Sequence, residues 1–374
     1  MTRSGSVEID MSDDTSIKAY WGQLFQKRYW REVVIGMPPK DPWEPTGDML
    51  VYQFDKATPA RIAGEPTTLD MVAACNDTYM EVADGRYMRR GFGGMMFTLL
   101  EVPFVFLVLM PFYFLIFKGR HDLSDFLMVP IIAVILMPLI LLIGYQWKQE
   151  MLDYTYKPIR LVRPTRKVHV FQHNGAGGVW SLDWDKLVFC LKKGGINWGV
   201  LGYLPDANGQ VTHAFYLGAV LPVNPKGIGP DEPLLAHWEY FRRYMEEGPA
   251  GVPTPEILLP IQNRREPFLY GMLRSWRLFG PLAIPFALVT TLAGIFRWLG
   301  MHMSRLPRWP AEVEAQCQVV PNDTTTQPEP RRKTLYNSTL VALGTVVMLA
   351  VDVVLLWLLF TRVFGIDRLL THNS

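Results

Sequence analysis

Four stretches of the chain are almost free of charge: Met95 to Phe117, Phe126 to Trp147, Leu278 to Phe296 and Thr339 to Phe360. About 20 apolar residues at 1.5 Å rise cross a hydrocarbon layer of roughly 30 Å, so each stretch predicts a membrane-spanning helix. The first two, 95–117 and 126–147, form a hairpin around KGRHDLSD. Each holds two prolines, Pro103 with Pro111 and Pro130 with Pro138, which predicts two helices bending together. The third, 278–296, is the shortest and contains Pro281 and Pro285. If it crosses, the chain has four spans and the 297–338 connection is external. If it is re-entrant, that connection stays inside.

Between the helical pairs, over 148–277, the period changes to short Val-, Ile-, Phe- and Trp-rich runs separated by turn residues. Strands are predicted at 159–162, 168–172, 179–184, 187–191, 198–203 and 213–217, with Asn174-Gly175 and Asn208-Gly209 as tight turns. A helix follows, capped by Asp231, with Leu234, Trp238, Phe241 and Met245 on one face and Gly248-Pro249 at its end. A meander closed by one helix is similar to the pleckstrin-homology-like superfold. Residues 1–94 hold a basic amphipathic helix around Ile17 to Phe25, then strand-like MLVYQF and TYMEV, which complete the central sheet, and a turn at Ala83 to Arg86. The expected fold is an α+β membrane protein: four transmembrane helices, the last at 339–360, a β-rich cytosolic domain between them and a tail at 361–374.

Composition sharpens this picture. Hydrophobic residues make up 49% of 374, and net charge is only +2, which argues against nucleic acid as a partner. Lys and Arg concentrate beside the ends that a cytosolic N-terminus would place inside. Cys75, Cys190 and Cys317 are odd in number and lack metal-site spacing. No G-x-S-x-G elbow, H-E-x-x-H, Walker loop or dinucleotide fingerprint occurs, so no catalytic, metal or cofactor residues are assigned.

The candidate chemistry lies in and beside the helices. Glu101 and Asp352 interrupt apolar runs, at a cost of roughly 2.5 to 3.5 kcal/mol for an acid at mid-bilayer. They lie at expected depths of about 9 and 12 Å, so the two acids could meet, with Thr98 and Thr345 on their faces. Either they join helices through hydrogen bonds or they serve an ion path or a partner. Lys157, Arg160, Arg163, Arg166 and Lys167 follow a predicted span and suit anionic headgroups; positive-inside topology explains them equally well.

The phrase NDTYMEVADGRYMRRG before a helical hairpin, then PIRLVRPTRKVHVF and GVWSLDWDKL, resembles a family of bacterial multi-span inner-membrane proteins often encoded beside type VI secretion and Rhs-type toxin genes. The similarity covers about residues 70 to 220. It implies a multi-pass inner-membrane protein with a cytoplasmic N-terminus and central domain, acting as an immunity protein against a membrane-acting toxin or as an accessory in effector delivery. The expected partners are thus the bilayer and a toxin or secretion component, with homo-oligomers open. The alternative is a small oligomeric transporter or channel using Glu101 and Asp352.

Overall fold

The computed structural model describes residues 50–62, 64–117, 123–194, 197–207, 209, 211–222, 232–255, 258–279, 286–319, 343–344, 346–358 and 361. The amphipathic helix expected around Ile17, the cap at Asp231 and Thr345 lie outside them. The strands are β1 (Leu50–Phe54), β2 (Val72–Cys75), β3 (Tyr79–Val82), β4 (Ile159–Val162), β5 (Lys167–Phe171), β6 (Val179–Asp183), β7 (Val188–Gly194), β8 (Asn197–Pro205) and β9 (Val211–Pro222). Strands of the central segment fall close to their expected positions because alternation and turn chemistry agree there. Gly175 and Gly209 take φ of +102° and +77° in the two Asn-Gly turns.

The arrangement of these strands departs from a single meander. They form two antiparallel sheets, of order β1-β7-β8-β9 and β2-β3-β4-β5-β6. A single 3-10 turn at Trp184–Lys186 carries the chain from one sheet to the other. The N-terminal strands do join the central ones, β1 beside β7 and β3 beside β4. Between the sheets lies the core. Helix α4 (Glu232–Glu246) drives Trp238 against Phe54, Phe189 and Trp184, with centroids 4.9, 4.8 and 6.0 Å apart. Its whole predicted face of Leu234, Trp238, Phe241 and Met245 is buried. Gly248, at φ +94°, ends it, its N–H donating a hydrogen bond to the Arg243 carbonyl (3.0 Å).

The four-span architecture is overturned. Among the described residues one helix is long and apolar enough to cross a membrane, over Phe92–Met110; a shorter apolar one, α8, covers Val346–Leu358. The first belongs to α2 (Phe92–Phe117), which follows α1 (Gly85–Arg89), a short helix where a turn was expected. Helix α3 (Leu123–Met151) runs back beside α2, joined by Trp147 Nε1 donating to Thr98 Oγ1 at 2.9 Å.

The third predicted span is broken in two. Helices α5 (Phe268–Phe279) and α6 (Ala287–Met303) lie antiparallel, with Phe268 against Trp298. Pro281 and Pro285 lie outside the described residues. The first part of the connection expected outside is stitched to the β-rich body: Arg305 N donates to Asp153 O and Thr155 N to Arg305 O, both at 2.9 Å, and Asn174 Nδ2 to Leu306 O at 3.1 Å. After a short helix, α7 (Ala311–Gln316), the Gln318 carbonyl still accepts from Thr78 on the sheet (3.2 Å). This strap thus packs against the β-rich body between Arg305 and Gln318.

Candidate functional site

Two places bring polar side chains together. The first is where the helices enter the body. Arg297 of α6, 1% exposed, grips Glu266 through two bonds of 2.7 Å, from Nε and Nη2, and donates Nη1 to the carbonyls of Tyr87 (2.9 Å) and Arg90 (3.1 Å). The Tyr87 hydroxyl donates to the same carboxylate. Burial alone would raise the Glu266 pKa, but the Arg297 charge and the bonds from Arg297 and Tyr87 leave it lowered. Arg90 reaches the ends of α3 and α6 together, donating to the carbonyls of Tyr154, Thr155 (2.8 Å), Glu150 (2.9 Å) and Gly300, and to Ser304 Oγ. Close approach here depends on Gly91, at φ +94°, where an added Cβ would run into Arg297 Cβ and the Ala293 carbonyl oxygen.

The second place is the outer face of the five-stranded sheet. Side chains alternate across strands. Met80, Leu161, Val168 and Leu182 face the core, while the neighbouring cross-strand row is Glu81, Arg160, His169 and Ser181. The strap covers this row. Arg160 Nε donates to Glu81 Oε2 and Tyr156 OH to Glu81 Oε1, both at 2.7 Å, and Trp309 Nε1 from the strap donates to the same carboxylate at 3.2 Å. The guanidinium is sandwiched between the rings of Tyr79 (4.9 Å) and Trp309 (4.7 Å), and its Nη1 lies 3.3 Å from Glu314.

His169 is buried, with Nδ1 2.9 Å from Ser181 Oγ. Burial pushes its pKa down to about 4, so the ring is neutral at pH 7. A neutral imidazole beside a hydroxyl can take up its proton. The other side-chain neighbour of the ring is Gln316, so among the described residues no acid orients the ring as in a hydrolytic triad. The arrangement serves first to lock strap to sheet. Among the described residues no three His, Cys, Asp or Glu side chains could hold a metal ion.

The residues singled out in the sequence are dispersed. Thr98 Oγ1 donates to Gly94 O (2.8 Å) and accepts from Trp147. The Glu101 carboxylate rests on α3 at Gly144, where an added Cβ would stand 2.9 Å from Oε1. Asp352 is 4% exposed, yet among the described residues neither of its oxygens has a hydrogen-bond partner. It lies one turn beyond Met348, which packs with Ala287 and Trp276, while Gly344, just ahead of α8, also packs on Trp276. No contact joins Glu101 to Asp352 among the described residues.

The basic cluster after the second helix is engaged within the body. Lys157 pairs with Asp153 at 3.2 Å, and Arg166 with Asp185 at 2.6 Å and Glu246 at 3.0 Å. Arg160 is enclosed, and Arg163 reaches the Asp77 carbonyl at 3.4 Å. Lys167 opens β5, half-buried. Sequence reasoning missed Glu81, Arg297 and Trp309, whose partners lie far along the chain. Only the alternation of TYMEV offered a signal, placing Glu81 on the face away from Met80 and Val82. No family model matches the chain, and neither a curated protein nor a solved structure matches it.

Proposed function

We propose that this chain is a membrane-anchored, non-enzymatic protein whose β-rich body binds a protein partner. One observation carries the reading. Apolar side chains on α2, α3 and α8 point outward, among them Phe106 at 62%, Val134 at 73% and Trp357 at 63% exposure. Contiguous apolar surface on this scale marks a membrane or protein contact, and α2 is long enough to cross a bilayer. The buried polar groups of the body are largely committed to each other, as in the Glu81, Arg160 and Trp309 cluster, which favours binding over catalysis.

The resemblance of residues 70 to 220 to proteins encoded beside type VI secretion and toxin genes supports the bacterial inner membrane as the site. It also supports a toxin or secretion component as partner, with immunity or effector delivery as the role. Alkaline carbonate extraction tests the anchor: release into the supernatant would refute it. Toxin challenge of cells with and without the gene tests the role, and equal survival against every neighbouring toxin would remove immunity. Asp352 favours a second reading, an oligomeric ion pathway, because a buried carboxyl group without a hydrogen bond among the described residues sits on an otherwise apolar helix. Ion flux in reconstituted vesicles that matches empty vesicles would eliminate it.

A further inference from the structure

The helix ends that meet the body lie at one level, because Arg90 bonds to Glu150 O near the end of α3 and to Gly300 O and Ser304 Oγ at the end of α6. Several cations of the body are neutralised, as Lys157 is by Asp153, Arg166 by Asp185 and Arg242 by Glu239. Lys148, in the last turn of α3, and Arg265 and Arg305 are exposed, and among the described residues no ion pair joins any of them to a carboxylate. Arg265 donates Nε to Met301 O at 3.2 Å, and Arg305 is held through its backbone beside Asp153 and Thr155. Of the nearby acids, Asp153 is committed to Arg86 and Lys157 and Glu266 to Arg297, while Glu150 sits near the Arg86 and Arg90 charges with its pKa raised by burial. Between these cations stand exposed apolar side chains, Leu152, Phe268, Leu269 and Met303, each 41 to 46% accessible. This surface continues directly into the outward-facing apolar helices. Apolar side chains flanked by uncompensated cations suit the boundary of a bilayer carrying anionic lipid.

We propose that Lys148, Arg265 and Arg305 form a binding surface for the phosphate headgroups of anionic lipids. The proposal rests on the membrane reading above and replaces the 157–167 cluster as the headgroup contact. Each such cation strengthens anionic-lipid binding by about fivefold near the surface. The full chain, purified in detergent and offered equal phosphatidylglycerol and phosphatidylcholine, should retain the former in excess by native mass spectrometry. Each single change, Lys148→Gln, Arg265→Gln or Arg305→Gln, should lower that excess about fivefold, and the triple variant should abolish it. Lys157→Gln, whose ammonium is held by Asp153, should leave it unchanged. The single variants keep the test decisive if the triple variant does not fold. Equal retention of both lipids by the parent, or an excess undiminished in the variants, would overturn the proposal. Displacement of the lipid by inorganic phosphate at matched ionic strength would assign the surface to free phosphate and overturn the lipid assignment. A protein that stays monodisperse without detergent fails the membrane reading itself, an outcome distinct from embedded protein that retains both lipids equally.

Discussion

His237 gives the body a defined response to acid. It is fully buried on α4, with Nε2 accepting from the Ala219 amide (3.0 Å) and Nδ1 3.1 Å from the Thr67 carbonyl oxygen. Those partners require a neutral ring with its proton on Nδ1. Burial pushes its pKa from the ordinary 6.5 down to about 4. The unfolded chain therefore takes up a proton first as pH falls. Its contribution to stability is fully present above pH 6.5 and is lost as pH falls from 6.5 towards 4. At pH 5, about 1.5 pH units of unequal protonation at about 1.36 kcal/mol each remove about 2 kcal/mol. Below pH 4 the loss levels off at about 3 kcal/mol. Gln at this position can accept and donate in the same two directions without titrating. Thermal and denaturant unfolding of the full chain in detergent, at pH 7, 6 and 5, should show His237→Gln less acid-sensitive than the parent by about 2 kcal/mol at pH 5. His169, pushed down to about 4 by its own burial, should add a similar increment in a double variant. Identical acid dependence in parent and His237→Gln would refute the reasoning.

Further expectations concern packing and charge. Gly91→Ala should cost more than about 2 kcal/mol and sharply lower membrane-fraction abundance, because φ is +94° and the new methyl meets Arg297; normal abundance would show that α6 can move aside. Glu81→Gln should cost about 3 to 5 kcal/mol by leaving the Arg160 charge buried without its main partner, whereas Glu81→Leu with Arg160→Met should cost less. A double-mutant cycle by denaturant titration measures the difference, and simple additivity would refute the coupling. Asp352→Asn should raise thermal stability, by about 1 kcal/mol or more, because a buried carboxyl group with no hydrogen bond among the described residues is itself a cost; a fall in melting temperature would mean that it has a partner in the folded chain.

How far the sequence is legible depends on the distance over which its signals act. Val168, Val170 and the Asn174-Gly175 turn speak within a few residues, and β5 and its turn emerge where expected. The apolar run at 278–296 speaks through length and hydropathy, which cannot separate a kinked span from two short antiparallel helices. The deciding interaction is between Arg297 and Glu266, residues 31 apart, and neither carries a local mark. Arg160 misled for the same reason. Its neighbours in sequence are basic and suggest a surface, but its carboxylate lies 79 residues away on β3. Assigning β1 and β3 to different sheets likewise required pairing partners more than 70 positions distant, Val82 with Ile159 and Phe54 with Phe189.

The junction at Arg90 and Arg297 has a mechanical corollary. A force that tilts α6 cannot be absorbed at a slack hinge, since its last turn is fastened through Arg90 to α3 and through Arg297 to the chain just ahead of α2. Strain on the helices therefore reaches the sheets undiluted, and a displacement of the body, in return, tilts the helices.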